Sequence, residues 1–192
     1  MRVTLVSVGL AVVLAACQTA SYQRPVNSPY YIIPAGSHLN LTQALTFDPD
    51  QLSVYIQNGQ VLSLSRVQVY FPFCKFELNH LSDAARTMKP DELVVTKTDQ
   101  YRWEGALSRT TPEAYEPKPR VMLTQFGGGD NPGGPPQYSF ITRMDLRSEK
   151  QPEIFRLTCL RWAYPGMDEH VSIAEMRKAL SPLFTLRTPT ES

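Results

Sequence analysis

The sequence predicts a mainly β domain, an antiparallel β-sandwich or barrel-like fold with one α-helix near the C-terminus. Three observations favour this fold class. Short segments such as 52–57 alternate apolar and polar residues with a period of two. Turn signals separate these segments, and Asn58-Gly59 is the clearest of them. The segment Ser172–Glu175 has the Ser-x-x-Glu form of a capping box, so a helix is predicted from there to about Leu180, before Pro182.

A hairpin at Asn58-Gly59 is the strongest local prediction. Both residues tolerate the positive φ angles that a type I′ turn requires, and the alternating segment 52–57 precedes them. The returning strand then changes the face on which its apolar residues lie. Because strict alternation cannot change face without an extra residue, we predict a β-bulge near Ser65–Arg66 and a break at Pro72.

The remainder of the chain continues the β pattern up to the helix. One helical turn is predicted within 80–90, capped by Ser82 or Asp83. Residues 108–119 and 127–136 are rich in proline and glycine and are expected to be loops. Strands are expected over the alternating segments 93–107, 121–126, 138–146 and 153–162. Long helices do not alternate with these strands, which argues against a doubly wound α/β fold.

The N-terminal residues carry the pattern of an export signal. Arg2 supplies a positive start, residues 3–16 are almost entirely apolar, and Leu14-Ala15-Ala16-Cys17 closes the run. The run is shorter than the ~20 residues that a membrane-spanning helix needs. This segment resembles the lipobox of bacterial lipoproteins, which implies that the signal peptide 1–16 is removed and that Cys17 becomes a lipidated N-terminus. An ordinary signal peptide with a chance cysteine is the alternative.

The resemblance to lipoproteins also implies a location. Gln18, rather than an aspartate, follows the cysteine. In Gram-negative lipoproteins an aspartate there favours retention in the inner membrane, so we expect an outer-membrane anchor and a domain that faces the periplasm, with the cell surface as the alternative. The expected organisation is a tether over 17–29, one β-rich domain over 30–187 and a tail over 188–192.

The charge of the mature chain is balanced. The sequence has 19 basic and 18 acidic residues, and removal of Arg2 leaves 18 of each in the 176 residues that follow position 16. A nucleic-acid-binding domain usually carries a clear excess of positive charge. We therefore expect no nucleic-acid partner.

Two cysteines remain besides Cys17. In an alternating strand Cys74 shares a face with Phe76 and Leu78, and Cys159 likewise shares one with Phe155 and Leu157. An exported domain meets an oxidising compartment, where two such thiols are expected to join. We predict a structural disulfide between Cys74 and Cys159. Two buried free thiols or a redox pair are the alternatives, although no Cys-x-x-Cys motif favours redox chemistry.

The candidate metal ligands and catalytic groups form no recognised motif. Glu77-x-x-His80 has a helical metal-ligand spacing but falls at a strand end, where residues three apart point to opposite faces. The cluster 168–170 places acidic charge before the predicted helix, as the helix dipole favours. No His-Glu-x-x-His or Gly-x-Ser-x-Gly sequence is present. We predict no metal site, no cofactor and no catalytic residue.

Four aromatic residues are candidates for a ligand site, although core or rim packing is the commoner role of such residues. They are Tyr101, Trp103, Trp162 and Tyr164.

The middle of the chain carries a second resemblance. The segment 54–59 (Val-Tyr-Ile-Gln-Asn-Gly), followed by Tyr70-x-Pro72-x-Cys74-x-Phe76-Glu77, is similar to a pattern in uncharacterised proteobacterial lipoproteins. The resemblance covers 52–78 and the strand near Cys159. It supports the fold and the disulfide and implies no activity.

These observations predict a membrane-anchored envelope lipoprotein that acts without catalysis. We expect it to be a binding or structural module for another protein or another envelope component. Its expected partners are the membrane, through the N-terminal lipid, and another envelope protein. The alternatives are a small-molecule or lipid-binding periplasmic module and, less favoured, a hydrolase of envelope material.

Overall fold

The computed structural model describes residues 24–104 and 138–191, except 165, 167 and 168. The mainly β fold class is confirmed, with a curled antiparallel sheet and an α-helix near the C-terminus. The strands of the described residues are β1 His38–Leu41, β2 Leu45–Phe47, β3 Ser53–Gln57, β4 Gln60–Leu62, β5 Phe73–Leu78, β6 Arg86–Met88, β7 Asp91–Glu104, β8 Tyr138–Arg147, β9 Ile154–Ala163 and β10 Phe184–Arg187, and the helix is α1 Ile173–Leu180.

Eight of these strands form one antiparallel sheet, in the order β10-β1-β7-β8-β9-β5-β3-β4. The short strands β2 and β6 pair separately as a two-stranded ribbon. Helix α1 contacts β3, β5 and β10, so it covers one face of the sheet, which we call the helix face. The main core lies on this face, and its largest fully buried side chains include Phe47, Phe76, Phe184 and Leu157.

The predicted hairpin is confirmed. Asn58 and Gly59 have φ angles of 51° and 72° and join β3 to β4. A Cβ atom at Gly59 would come within 2.0 Å of the carbonyl oxygen of Ser181, so only glycine fits there. The Gly59 amide donates a hydrogen bond of 2.8 Å to the carbonyl of Ala179, which fastens the hairpin to the last turn of α1.

The bulge predicted near Ser65–Arg66 was wrong, whereas the break at Pro72 is confirmed. Residues 64–66 form a 3-10 turn, and the chain rejoins the sheet only at Phe73. Instead of pairing as a strand, the segment 67–72 folds back across the sheet and buries Val67. Burial against the sheet therefore outweighs the strand pairing that the alternating sequence suggested.

The helical turn predicted within 80–90 was also wrong. The hydroxyl of Ser82 accepts a hydrogen bond of 3.1 Å from the amide of Ala84, which is a local turn. The chain then forms β6, whose Thr87 lies opposite Thr46 of β2. Phe155 is a further correction, since it is 39% exposed rather than buried beside Cys159. A register shift between Glu77 and Leu78 leaves Phe155 without an opposite partner.

The predicted disulfide joins Cys74 and Cys159. They lie directly opposite each other on the neighbouring strands β5 and β9, with an S–S distance of 2.06 Å. Both are fully buried on the helix face.

The ends of the described chain belong to the folded unit. Val26 packs against the main core although it falls in the expected tether. At the other end Thr188 is buried, and the carboxylate of Glu191 is bonded to Arg177 and Thr188. No helix among the described residues is long and apolar enough to cross a membrane. The lipobox, the strand expected over 121–126 and the loops expected over 108–119 and 127–136 lie outside the described residues.

The capping box of α1 is confirmed. The Ser172 hydroxyl accepts from the Glu175 amide at 3.4 Å, and the Glu175 carboxylate accepts from the Ser172 amide at 2.8 Å. We expect Ser172→Ala to lower the free energy of unfolding by about 1 kcal/mol, measured by urea denaturation. Ser63→Ala is the matched control, because Ser63 precedes the 3-10 turn and makes no capping bond with its side chain. Equal losses in both variants would contradict the prediction.

Candidate functional site

The face of the sheet opposite α1, which we call the second face, is built from rows of side chains that run across β7, β8, β9 and β5. Because alternate residues of a strand point to opposite faces, the strand register defines each row. Two rows are charged or polar: Lys97-Asp145-Arg156-Glu77 and Asp99-Arg143-Thr158-Lys75. The next two are apolar or aromatic: Tyr101-Ile141-Leu160-Phe73 and Trp103-Ser139-Trp162.

Glu77 is the most deeply buried charge in these rows. Its side chain is 2% exposed, and its carboxylate oxygens lie 2.8 Å from Arg156 Nε and 2.8 Å from Lys75 Nζ. Thr158 donates a further hydrogen bond at 3.3 Å. A buried carboxylate needs such compensation, because water no longer solvates it. The Glu77 carboxylate is therefore bonded on both oxygens, and its contacts with Arg156 and Thr158 link β5 to β9.

A second ion-pair cluster spans β7 and β8. Asp99 Oδ2 lies 2.9 Å from Lys97 Nζ and 2.9 Å from Arg143 Nη2. The hydrogen bond from Lys97, followed by that from Arg143, lowers the pKa of Asp99 below its ordinary value, although burial opposes this. The carboxylate is thus held in its charged form, which suits an ion-pair role better than proton transfer.

The aromatic rows are covered by the segment 67–72, and a buried amide holds that segment in place. Gln57 Nε2 lies 3.0 Å from the carbonyl of Gln68, and 3.4 and 3.3 Å from the carbonyls of Phe71 and Pro72. In return Gln57 Oε1 accepts from the Gln68 amide at 3.0 Å. One side chain of β3 therefore fixes the path of a loop that lies 11 to 15 residues further along the chain.

The fixed loop contributes Tyr70 and Phe71 to an aromatic surface that Trp162 of β9 and the following Tyr164 complete, and we call these four residues the Tyr70 patch. The rings of Tyr70 and Tyr164 are stacked at 5.6 Å with an angle of 20°, and their hydroxyl oxygens are 3.1 Å apart. The Trp162 ring meets Tyr70 edge-on at 6.2 Å. Phe71 is 66% exposed, and both tyrosines are also exposed. The hydrogen bond with Tyr164, together with burial, raises the pKa of Tyr70.

This arrangement suits binding by contact. Stacked and edge-on aromatic rings offer a large apolar area at low conformational cost, and tyrosine hydroxyls add directional hydrogen bonds. The charged groups of the two polar rows are committed to ion pairs with one another. The second face therefore combines a stable framework with an exposed aromatic surface at one end of the strands.

The four aromatic residues proposed from the sequence come together on the second face. Tyr101 and Trp103 pack against the buried cluster of Val67, Phe73, Ile141 and Leu160. Trp162 and Tyr164 instead belong to the Tyr70 patch. Sequence reasoning missed Tyr70 and Phe71 as surface residues because it placed them in a strand. The signal that could have found them is Pro72, which ends strand pairing just after them.

The three histidines lie apart in the structure. His38 Nδ1 is 2.8 Å from Glu92 Oε1, between β1 and β7. His80 is exposed after β5, where its ring nitrogen Nε2 lies 3.3 Å from Arg86 Nη1. His170 is partly buried just before α1. Within 24–104 and the described part of 138–191, no three His, Cys, Asp or Glu side chains are grouped to hold a metal ion.

His170 is held between the rings of Phe140, at 5.6 Å, and Tyr30, at 6.4 Å. Burial lowers the pKa of His170, and the charge of Arg161 acts in the same direction. The unfolded chain therefore binds more protons at this residue, so stability should fall as the pH drops below about 6.5.

We expect His170→Gln to remove this part of the pH dependence. The free energies of unfolding of the wild type and the variant, measured in urea between pH 7.5 and about 5, should converge toward acid pH. An NMR titration should give His170 a midpoint below the ordinary histidine value. His80→Gln, which alters an exposed histidine, is measured over the same pH range as the control. Parallel profiles for wild type and His170→Gln would contradict the prediction.

Comparison of the chain with protein-family models, with curated proteins and with solved structures finds no match in any of the three. The candidate site therefore rests on the geometry of the second face.

Proposed function

We propose that this protein is an exported lipoprotein, anchored to the outer membrane through Cys17, whose β domain binds another envelope protein and catalyses no reaction. The observation that carries the binding role is the Tyr70 patch. Two of its exposed rings, Tyr70 and Phe71, stand on a loop that Gln57 holds by several hydrogen bonds. An aromatic surface of this kind on a soluble domain is typical of an interaction site.

The chemistry of the Tyr70 patch favours a protein partner. Tyrosine and tryptophan dominate the residues that carry most of the energy in protein interfaces. Small-molecule sites are usually concave, whereas Tyr70, Phe71 and Tyr164 stand on the surface. Because the loop is already fixed, little conformational entropy would be lost when a partner binds.

The anchor is tested by labelling cells with radioactive palmitate and fractionating their membranes. The wild-type chain should carry the label and sediment with the outer membrane. The Cys17→Ala variant should lose both the label and the membrane association, because a chain without acyl groups has no such attachment. A Cys17→Ala protein that still fractionates with the outer membrane would contradict the proposal.

The binding role is tested by photocrosslinking in intact cells. A photoreactive amino acid replaces Phe71, and in a matched protein it replaces Leu81, which is 56% exposed but lies outside the patch. We expect an adduct of one defined size from position 71 and none from position 81. Adducts of equal yield at both positions, or none at position 71, would argue against a role for the patch.

The identified partner then permits a direct measurement of affinity. Tyr164→Ala should weaken binding of the purified partner at least ten-fold, since truncation of an interface hot spot costs about 2 kcal/mol or more. The thermal unfolding midpoint of the variant serves as the control and should stay close to that of the wild type. Unchanged affinity would place the interface elsewhere.

A further inference from the structure

The proposed anchor lies close in sequence to the first described residues. Arg24 lies seven positions after Cys17, with six residues between them. A fully extended chain spans at most ~3.6 Å per residue, so Arg24 would lie within about 25 Å of the anchor. The part of the domain that includes Arg24 must therefore stay near the lipid surface. This step rests on the proposed function.

The segment that follows Arg24 presents side chains to solvent in alternation. Tyr31 and Ile33 pack into the core, whereas Tyr30 and Ile32 are exposed, Ile32 to 59%. The guanidinium carbon of Arg24 lies 5.3 Å from the centre of the Tyr30 ring. The side chain of Gln100 on β7 donates a hydrogen bond of 3.1 Å to the carbonyl of Tyr31, which pins the segment beside the sheet.

A second pair of an arginine over a tyrosine lies at the same end of the sheet. The guanidinium carbon of Arg102 is 4.7 Å from the centre of the Tyr138 ring. Arg102 lies opposite Phe140 on β8. The ring of His170 contacts both Phe140 and Tyr30, so the two arginine–tyrosine pairs lie near each other. We call the set of exposed Arg24, Tyr30, Ile32 and Arg102, together with half-buried Tyr138, the anchor-side surface.

The composition of the anchor-side surface fits the headgroup region of a membrane. Tyrosine rings with one apolar and one polar end settle at that depth, and arginine stems lie along apolar surface while the guanidinium reaches phosphate. An open depression of about 440 Å³ lies here, lined by Arg24, Pro25, Ser28 and Tyr30. Its guanidinium and hydroxyl groups are the donors that a phosphate oxygen requires.

We infer that the anchor-side surface rests on the headgroups of an anionic phospholipid membrane and so orients the domain on its anchor. The Tyr70 patch lies on the opposite face of the same sheet, two strands further across at β9. A partner could therefore reach the patch while the anchor-side surface is occupied by lipid.

The test uses the lipidated full-length protein, reconstituted in vesicles of phosphatidylethanolamine and phosphatidylglycerol. Ile32→Cys supplies a thiol for an environment-sensitive fluorophore, since the three native cysteines are the lipidated one and the disulfide pair. Leu81→Cys provides the matched control at a residue of similar exposure. Quenchers attached to the lipid headgroup region should quench the fluorophore at position 32 and leave that at position 81 unchanged.

The charge contribution is tested with Arg24→Gln. The attraction between one arginine and an anionic surface changes the ratio of docked to undocked domains about five-fold. The quenching of the fluorophore at position 32 should therefore fall in Arg24→Gln. Lys178→Gln removes an exposed cation of α1 and should have no effect. Vesicles in which phosphatidylcholine replaces phosphatidylglycerol should lower the quenching at position 32 at least as much as Arg24→Gln does.

Three outcomes would overturn the inference. The fluorophores at positions 32 and 81 could be quenched alike, or both could remain in water although the protein sediments with the vesicles. The fluorophore at position 32 could instead be shielded from aqueous quenchers without being reached by lipid quenchers, which would indicate a protein partner or a second copy. If the wild type incorporates no palmitate and fails to sediment with the vesicles, the proposed anchor itself is wrong and the inference falls with it.

Discussion

Loss of the covalent link is expected to account for about 4–5 kcal/mol at most of the unfolding free energy that is lost when both Cys74 and Cys159 are replaced with alanine. The bridge joins residues that are 85 positions apart, so it removes much of the conformational freedom of the unfolded chain. Both sulfur atoms are also buried in the main core, where two alanine side chains would leave space unfilled. Urea denaturation of the wild type and the double variant measures the difference.

Reduction of the wild-type protein supplies the control for this prediction. Reduced wild type should unfold close to the urea concentration of the double variant, because both lack the covalent link. A double variant as stable as the oxidised wild type would contradict the prediction, because it would show that the bridge does not reduce the conformational freedom of the unfolded chain. A double variant much less stable than the reduced wild type would instead assign most of the loss to packing around the missing sulfur atoms.

Replacing Arg156 with methionine should cost about 2–4 kcal/mol of unfolding free energy. The change removes a cation that lies 2.8 Å from the buried carboxylate of Glu77 and leaves that charge undercompensated. Replacement of both residues, Glu77→Met with Arg156→Met, should recover part of the loss, because no buried carboxylate then remains. A double variant less stable than Arg156→Met alone would contradict this reasoning.

The matched control for the buried pair is Lys97→Met. Lys97 also contacts a carboxylate, that of Asp99 at 2.9 Å, but its side chain is 60% exposed. Water and salt screen such a pair, so Lys97→Met should lower the free energy of unfolding by less than about 1 kcal/mol. A loss as large as that of Arg156→Met would mean that burial does not distinguish the two clusters.

Elements determined by neighbouring residues could be predicted from the sequence. The hairpin depends on the positive φ angles of Asn58 and Gly59, and the start of α1 depends on Ser172 and Glu175, which lie three residues apart. The long strands β8 and β9 follow the alternation of their apolar residues. In each case the decisive contacts lie within the segment itself or its immediate turn.

Elements determined by distant contacts could not be predicted. The segment 67–72 alternates like a strand, yet Gln57 binds its carbonyls and folds it over the sheet. The position of β1 between β10 and β7 joins residues fifty or more positions apart in sequence. Phe155 turns outward because it is the extra residue of β9 where the register between β5 and β9 shifts. None of these contacts leaves a periodic signal in the sequence.

The candidate site shows the same division. The sequence identified four aromatic residues of interest from their type alone. The strand register brings Tyr101, Trp103 and Trp162 to one face, and Tyr164 joins them by stacking on Tyr70. Tyr70 joins them through a loop whose path depends on a buried amide. The exposed part of the site therefore depends on the path of this loop, which the local sequence does not determine.

The amide of Gln57 has a consequence for the divergence of related sequences. Its hydrogen bonds run to backbone atoms of the segment 67–72, and they set the loop from which Tyr70 projects. Selection for a tyrosine pair at these two positions should therefore also act on position 57. Lineages that keep both tyrosines are expected to retain an amide there, and lineages that lose the pair should tolerate its replacement, so that the three positions covary.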